Sequence, residues 1–226
     1  MQKNHVIKKP QGVLFDMDGV IFDSEKLILK GWQQVAADAG IPDVEAVLVR
    51  CFGTNEAATK KIFAEHYGDD FPYDVYKAKV RTYFFSVYEA LGHLPLKPGA
   101  AEILSFLKQR NVKIALATST RVALAQRELA DAGIDGYFDI VVGGDMIVRS
   151  KPAPDIFLSA AKAVQLPPSG CYIIEDSYNG IRAAASANAR PIMVPDQMAP
   201  DGEMENLAEQ ILPNLFETRA YLEKQI

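Results

Sequence analysis

Acidic side chains cluster at the ends of two strongly apolar segments of the sequence. Asp16 and Asp18 follow the run GVLF, and Glu175 with Asp176 follows the run CYII. In an extended chain, residues i and i+2 point to the same side, so Asp16 and Asp18 can face one crevice while Met17 points away. Carboxylates that lie this close repel one another unless a cation or a shared proton offsets their charge. Mg²⁺, a hard cation that prefers oxygen ligands and often accompanies phosphate, would resolve the conflict.

Groups suited to holding phosphate lie elsewhere in the chain. Lys151 in SKPAPD precedes two prolines and a predicted helix, where it could neutralise a phosphate and a nucleophilic carboxylate together. Thr118 ends the apolar run KIALAT, and its hydroxyl, with backbone N–H groups at the start of the next helix, would hold phosphate oxygens. Ser119 adjoins it and is included in the predicted phosphate site. Taken singly, a surface lysine and a strand threonine are the commoner interpretations of these residues.

Together these groups suit phosphoryl transfer through an aspartyl-phosphate, in which catalysis consists of positioning and charge stabilisation. We predict that Asp16 is the nucleophile, and that Asp18 protonates the leaving oxygen and then activates water. A calcium-binding loop is another interpretation of the Asp-x-Asp-Gly pattern. It fails because Ile21 and Leu27 stand at the sixth and twelfth positions, where glycine and glutamate are needed. A turn without function remains the plainest alternative for this short motif.

The elements that position these residues are predicted from the alternation of apolar and amphipathic segments. After residue 98, amphipathic helices alternate with four short apolar strands, which are VKIALATS, DIVVGGD, CYIIEDS and RPIMVP. This pattern predicts an α/β fold with a parallel sheet flanked by helices, and the first apolar run most simply joins that sheet. Ligands bind beyond the carboxyl ends of the strands in such sheets. The polar residues at these ends, including Asp145, should therefore converge on one crevice.

The stretch between the first strand and the later alternation is helical throughout by its pattern. Apolar residues recur at helical spacing over 24–40 and in EAATKKIFAEHYG, and a third helix is predicted over 73–91. We therefore predict an inserted α-helical domain at 24–95, and a catalytic core formed by 1–23 and 96–226.

Composition sets the class of protein. The chain has 226 residues, 49% hydrophobic and 23% charged, which is ordinary for a globular protein. With 24 basic and 29 acidic residues its net charge is −5, which argues against nucleic acid or an anionic membrane as partner. The sequence contains no run of about 18 apolar residues, so we expect no membrane span. Cys51 and Cys171 are far apart and are predicted to be buried thiols in a reducing compartment. We expect a cytoplasmic monomer that binds a small phosphorylated metabolite.

The motifs DMDGV, ALATST, SKPAPD and IIEDS resemble, in order and spacing, the four motifs of the haloacid dehalogenase superfamily, and the resemblance covers essentially the whole chain. It implies a Rossmann-like core, a mobile C1-type helical cap in the inserted segment, and Mg²⁺-dependent phosphoryl transfer. It also implies that Asp16, the backbone carbonyl of Asp18 and Asp176 are metal ligands, with Glu175 as a direct or outer partner. The segments DMDGVIFDSE, KPAPDIF and EDSYNGI most resemble the β-phosphoglucomutase-like phosphatases.

Several reactions occur in this superfamily, and the residues favour hydrolysis of a sugar-phosphate-like ester. Dehalogenases lack the second aspartate and phosphonatases carry a small residue there, so Asp18 argues against both. True β-phosphoglucomutases carry a histidine, a lysine and an arginine on the cap, where this chain has Ile28, Phe52 and Glu56. A phosphosugar mutase remains the alternative. A non-enzymatic phosphoacceptor module ranks last, because it would be about half this length without a helical insertion.

The residues that select the leaving group are predicted in the loop RCFGTN and after the second strand. Arg50 or Asn55 could contact the leaving group, because Gly53 lets the loop approach the crevice closely. A helix cap is an equally good interpretation of Asn55. Arg121 could contact phosphate or could simply begin a helix.

Overall fold

A computed structural model describes residues 12–51 and 56–226, and the structural statements below concern those residues. Its centre is a sheet of six parallel strands, in the order β3-β2-β1-β4-β5-β6. In chain order these are β1 Gly12–Phe15, β2 Lys113–Ala117, β3 Ile140–Val142, β4 Cys171–Glu175, β5 Arg190–Met193 and β6 Gln210–Ile211. Because β1 lies between β2 and β4, the carboxyl ends of these three strands share one edge of the sheet.

Ten α-helices are seen in the described part of the chain. They are α1 Ser24–Ala39, α2 Val44–Val49, α3 Glu56–Tyr67, α4 Tyr73–Leu91, α5 Ala100–Gln109, α6 Val122–Asp131, α7 Asp155–Ala163, α8 Tyr178–Ser186, α9 Gly202–Leu207 and α10 Leu215–Glu223. Helices cover both faces of the sheet, which gives the Rossmann-like α/β architecture predicted from the sequence. None of the described helices is long and apolar enough to cross a membrane.

Both faces of the sheet are buried, as the continuous apolar strands predicted. Alternate residues of β1 point to opposite faces, so Val13 and Phe15 pack in one core while Leu14 packs in the other. The first core includes residues of α5 and α10, and the second includes residues of α7 and α8. This double burial fixes the position of β1, and therefore of the residues that follow it.

Helices α1 to α4 lie between β1 and α5 and contain a hydrophobic cluster of their own. Its centre is aromatic: the rings of Trp32 and Phe63 are 4.7 Å apart between centroids, and those of Phe63 and Tyr73 are 5.0 Å apart. Ring contacts of this kind add to the free energy gained by burying the aromatic surface. The helical segment therefore has its own source of stability, separate from the sheet.

The two connecting segments through which the chain enters and leaves this helical segment run side by side. Asp23 N donates to Pro95 O at 2.8 Å, and Lys97 N donates to Ile21 O at 2.8 Å. These backbone hydrogen bonds form a short paired ribbon between the segment and the sheet. The ribbon places the start of α1 next to the end of β1, where the candidate site begins.

Candidate active site

Asp16 stands at the carboxyl edge of the sheet because β1 and β4 continue to pair beyond the last residue of β1. Asp16 N donates to Ile174 O at 3.0 Å, which extends the parallel ladder by one residue. The Asp16 carboxyl is thereby placed beside Glu175, the last residue of β4. Met17 is fully buried in the core, so the chain alternates here as the sequence predicted.

Lys151 joins the two acidic strand ends. Its Nζ donates to Asp16 Oδ1 at 2.5 Å and to Glu175 Oε1 at 2.6 Å, and its side chain is only 5% exposed. The solvated surface lysine considered from the sequence is therefore wrong for this residue. A buried lysine between two buried carboxylates leaves no charge of this trio without a partner.

Glu175 is held in place from the opposite side by the start of α8. Its Oε2 accepts hydrogen bonds from Ser177 N at 2.8 Å and from Ser177 Oγ at 2.9 Å. Ser177 Oγ in turn accepts from Gly180 N at 3.1 Å, which caps the N-terminus of α8. Both oxygens of Glu175 therefore have partners, and its Oε1 is fixed toward Lys151.

Asp18 is held by two hydroxyl groups that the sequence analysis did not single out as site residues. Ser24 Oγ donates to Asp18 Oδ1 at 2.6 Å, and Thr120 Oγ1 donates to Asp18 Oδ2 at 3.1 Å. Ser24 begins α1, whereas Thr120 follows β2. Asp18 is therefore hydrogen-bonded both to the helical segment and to the end of the sheet.

Thr118 and Ser119 lie at the end of β2, as predicted. Thr118 is fully buried, and its Oγ1 accepts a hydrogen bond from Thr120 N at 3.1 Å. Accepting this bond leaves the Thr118 hydroxyl able to donate its own hydrogen to an anion. Ser119 is exposed in the turn that leads into α6.

Three predicted contributors do not join the carboxylates. Asp145 Oδ1 accepts from Val122 N at 2.9 Å, so it satisfies the first turn of α6 instead of facing the crevice as expected. Arg50 is exposed and pairs with Glu65 at 3.2 Å within the helical segment. Arg121 is exposed just before α6, and Asn55 lies outside the described residues.

The acidic residues form a group that fits a hard cation. Carboxylate oxygens of Asp16, Glu175 and Asp176 lie within 4.8 Å of one another, and all three side chains are buried. Gly19 makes this approach possible: its φ is +78°, and a Cβ there would lie 2.3 Å from Asp176 Oδ2. An all-oxygen set of this kind matches the ligands that Mg²⁺ prefers.

Burial controls the ionisation of these groups. Burial raises the pKa of Asp16 to about 7; the Lys151 ammonium opposes this shift, and the Glu175 carboxylate adds to it. Burial alone would lower the pKa of Lys151, but the charges of Asp16 and Glu175 outweigh it, so the pKa of Lys151 is raised. The pKa of Asp176 is held well above its usual range by burial and by the charges of Glu25 and Glu175. The raised pKa values of Asp16 and Asp176 therefore reflect burial first and neighbouring negative charge second, whereas that of Lys151 reflects attraction to the Asp16 and Glu175 carboxylates.

Comparisons with known proteins show what this chain is similar to. The family model of haloacid dehalogenase-like hydrolases matches residues 10–188. The Thermotoga maritima phosphorylated carbohydrates phosphatase is 34% identical over 182 residues, covering 80% of this chain and 83% of that protein. The Bacillus subtilis β-phosphoglucomutase is 31% identical over 183 residues, covering 78% of this chain and 80% of that protein. Among solved structures, a hydrolase of the same family from Deinococcus radiodurans R1, with bound phosphate and sodium, has a TM-score of 0.76 at 28% identity, covering 96% of this chain and 97% of that chain.

Gly180 leads to a prediction about the support of Glu175. A Cβ at position 180 would lie 1.8 Å from the Glu175 carboxyl carbon, so Gly180→Ala must displace that carboxyl from Lys151 and Ser177. We expect a loss of about 1–3 kcal/mol in the free energy of unfolding, measured by denaturant titration. Gly202→Ala, which meets no atom within 4 Å, is the control and should not be destabilising. Equal stability of the two variants would contradict the packing described here.

Glu128 on α6 leads to a prediction about pH. It is 4% exposed, and burial, with the nearby Asp18 charge, raises its pKa from 4.5 to about 7. The folded state therefore binds the Glu128 proton more tightly, and this contribution to stability falls as the pH rises from 4.5 through about 7. Glu128→Gln should gain stability relative to the parent protein over that range, measured by denaturant titration at several pH values. Glu102→Gln, on the exposed side of α5, is the control, and parallel pH profiles for the parent and Glu128→Gln would contradict the assignment.

Proposed function

The chain belongs to the haloacid dehalogenase-like hydrolases and is a phosphatase of that family, and we propose that it hydrolyses a small, sugar-like phosphate ester through an aspartyl-phosphate at Asp16. The observation that supports this most strongly is the buried pairing of Lys151 with Asp16 and Glu175 at the carboxyl edge of the sheet. A nucleophilic carboxylate must be ionised and held still; Lys151 opposes the rise in the pKa of Asp16 that burial causes, and its hydrogen bond holds Asp16 Oδ1 in place. Structural ion pairs elsewhere in the described chain lack this convergence of polar strand ends.

Asp16 attacks the phosphorus atom in the proposed first step. The Lys151 ammonium favours the ionised form of Asp16 in spite of its burial, and it lies where it can also neutralise an oxygen of the bound phosphate. Glu175 keeps Lys151 in this position, because its other carboxylate oxygen is fixed by Ser177. Thr118 and Ser119 bind the remaining phosphate oxygens through a hydroxyl and the backbone of the turn before α6.

Asp18 handles the proton in both halves of the proposed reaction. It gives a proton to the leaving oxygen as the Asp16–phosphorus bond forms, and it takes one from the water that later breaks that bond. The hydroxyls of Ser24 and Thr120 hold the two oxygens of its carboxyl group, which fixes Asp18 beside the nucleophile. Residues 16 and 18 thus divide the work between nucleophile and acid–base group.

Mg²⁺ is the cation that we propose for this site. Asp16, the backbone carbonyl of Asp18 and Asp176 would hold it, with Glu175 as an outer partner that is already engaged by Lys151. When bound, the cation supplies positive charge that offsets the crowded carboxylates and stabilises the charge of the transferred phosphoryl group. The fit of Gly19 against Asp176 supports a site this compact.

The substrate class follows from the helical segment and from the relatives. We propose that residues 24–95 form a cap over a catalytic core made of 1–23 and 96–226, and that the cap selects the leaving group. Relatives named for phosphorylated carbohydrates and for fructose 1-phosphate support a sugar phosphate as substrate. We also propose that the protein is a cytoplasmic monomer that binds neither nucleic acid nor a membrane.

A phosphosugar mutase is the second candidate, because a β-phosphoglucomutase is among the relatives. The described cap residues favour hydrolysis. Ile28, where a mutase would carry a histidine, is apolar and 38% exposed, and Glu56 is paired with Lys77 at 2.6 Å. Neither side chain can hold the second phosphate of a bisphosphate intermediate. Phe52, the third position compared, lies outside the described residues.

The test is release of inorganic phosphate with Mg²⁺ from a panel of sugar phosphates, including β-glucose 1-phosphate and fructose 1-phosphate. We expect stoichiometric release that EDTA abolishes and that Asp16→Asn lowers by about 10⁴-fold or more, because an amide cannot attack phosphorus. Asp135→Asn, an exposed aspartate of a short turn, is the control and should keep full activity.

A different product would contradict hydrolysis. If glucose 6-phosphate forms from β-glucose 1-phosphate, with dependence on added glucose 1,6-bisphosphate and little phosphate release, the protein is a mutase. Undiminished phosphate release by Asp16→Asn would remove Asp16 as the nucleophile.

A further inference from the structure

Two buried carboxylate oxygens have no hydrogen-bond partner in the described part of the chain, and they belong to residues that lie close together. They are Glu25 Oε2 and Asp196 Oδ2. Oxygens of Glu25, Asp196 and Asp176 all lie within 4.8 Å of one another. A buried acceptor without a donor is unfavourable, and such acceptors are few in folded proteins. Two of them beside one proposed metal ligand point to a ligand that donates hydrogen bonds.

Asp196 is held by hydrogen bonds to one of its two carboxylate oxygens. Its Oδ1 accepts from Lys97 Nζ at 2.6 Å and from Gln197 Nε2 at 3.2 Å, and its side chain is 8% exposed. Lys97 Nζ is also 3.7 Å from Asp23 Oδ1, so two carboxylates offset its charge. Lys97 therefore holds Asp196 through Oδ1, and Asp196 Oδ2 has no hydrogen-bond donor among the described residues.

Glu25 approaches the same place from the other side, in the first turn of α1. Glu25 Oε2 is buried and has no hydrogen-bond donor among the described residues, so the described chain alone does not satisfy this oxygen. A positive ion with its water shell would satisfy it.

The chemistry of Mg²⁺ fits these acceptors. Mg²⁺ loses its water reluctantly, so protein sites usually hold it through one or two carboxylates and leave several waters bound to it. Such waters can only donate hydrogen bonds to neighbouring residues, and the two free oxygens beside Asp176 can only accept them. Outer residues of this kind orient the inner ligands and tune the affinity of a metal site.

We propose that Glu25 and Asp196 form the outer wall of the cation site, where they accept hydrogen bonds from water bound to the Mg²⁺ that Asp176 helps to hold. This proposal rests on the cation of the proposed function. Glu25 belongs to α1 and Asp196 follows β5, so the wall connects the cation to the helical segment and to the sheet.

Calorimetric titration of the full chain with Mg²⁺, in the absence of substrate, tests the wall directly. Glu25→Gln and Asp196→Asn should each weaken Mg²⁺ binding by about 10–100-fold. Glu205→Gln, which removes an equal charge on the exposed side of α9, should bind Mg²⁺ like the parent protein. Unchanged affinity in both wall variants would overturn this proposal alone. A parent protein that binds no Mg²⁺ would overturn the proposed cation as well.

Thermal unfolding separates the proposed role from a merely structural one. In EDTA, Glu25→Gln should melt at the same temperature as the parent protein or higher, because the variant removes a buried carboxyl group that crowds Asp176 and Asp196. Added Mg²⁺ should raise its melting temperature less than it raises that of the parent protein, because the cation binds the folded variant more weakly. Lower melting temperatures with and without Mg²⁺, with an equal gain from the cation, would show that Glu25 only supports the fold and would overturn the proposal.

Discussion

One buried lysine holds the candidate site together. Lys151 lies within 2.6 Å of an oxygen of both Asp16 and Glu175, and these carboxylates could not share so small and dry a space without its charge. The surrounding structure serves this contact: β1 and β4 are neighbours, Ser177 holds the far side of Glu175, and Gly180 leaves room for that carboxyl. Any change that moves Lys151, Asp16 or Glu175 leaves a charge of the other two buried without its partner.

The second aspartate depends on a different part of the molecule. Asp18 is gripped by Ser24 from the helical segment and by Thr120 from the sheet, so its position depends on how these two parts meet. Paired backbone at Asp23 and Pro95 joins the same two parts, and Tyr88 of α4 donates a hydrogen bond to Asp131 of α6 farther away. Asp16, the proposed nucleophile, is therefore held by the sheet and by Lys151, whereas Asp18, the proposed acid–base residue, is held where the helical segment meets the sheet.

Much of this arrangement could be predicted from the sequence, because apolar runs that end in acids mark the carboxyl edge of a parallel sheet. Asp16, Glu175 and the fully buried Thr118 lie where their positions after such runs predicted. Other features could not be found in this way. α2 has only six residues and β6 has two, so neither is long enough to show a periodic pattern of apolar residues.

Contacts between side chains that are far apart in the sequence are even harder to predict. Asp145 also follows a strand, yet its carboxylate accepts a hydrogen bond from a backbone N–H group at the start of α6. No local sequence pattern indicates that this N–H group, and not the crevice, would take the Asp145 side chain. Glu25 and Asp196 are 171 positions apart and meet only because α1 and the chain after β5 flank the same strand end. Their sequence neighbourhoods give no sign of the contact. The physical cause in both cases is tertiary placement, which the periodicity of single elements does not encode.

The proposed reaction passes through an acyl phosphate on the side chain of Asp16. Borohydride reduces an acyl phosphate to an alcohol, so treatment during turnover of a sugar phosphate, followed by peptide mass spectrometry, marks the nucleophile. We predict homoserine at position 16, formed only when substrate and Mg²⁺ are both present, with aspartate retained at positions 18 and 176. Phosphate release at the normal rate with aspartate unchanged at position 16, or homoserine at another position, would contradict it.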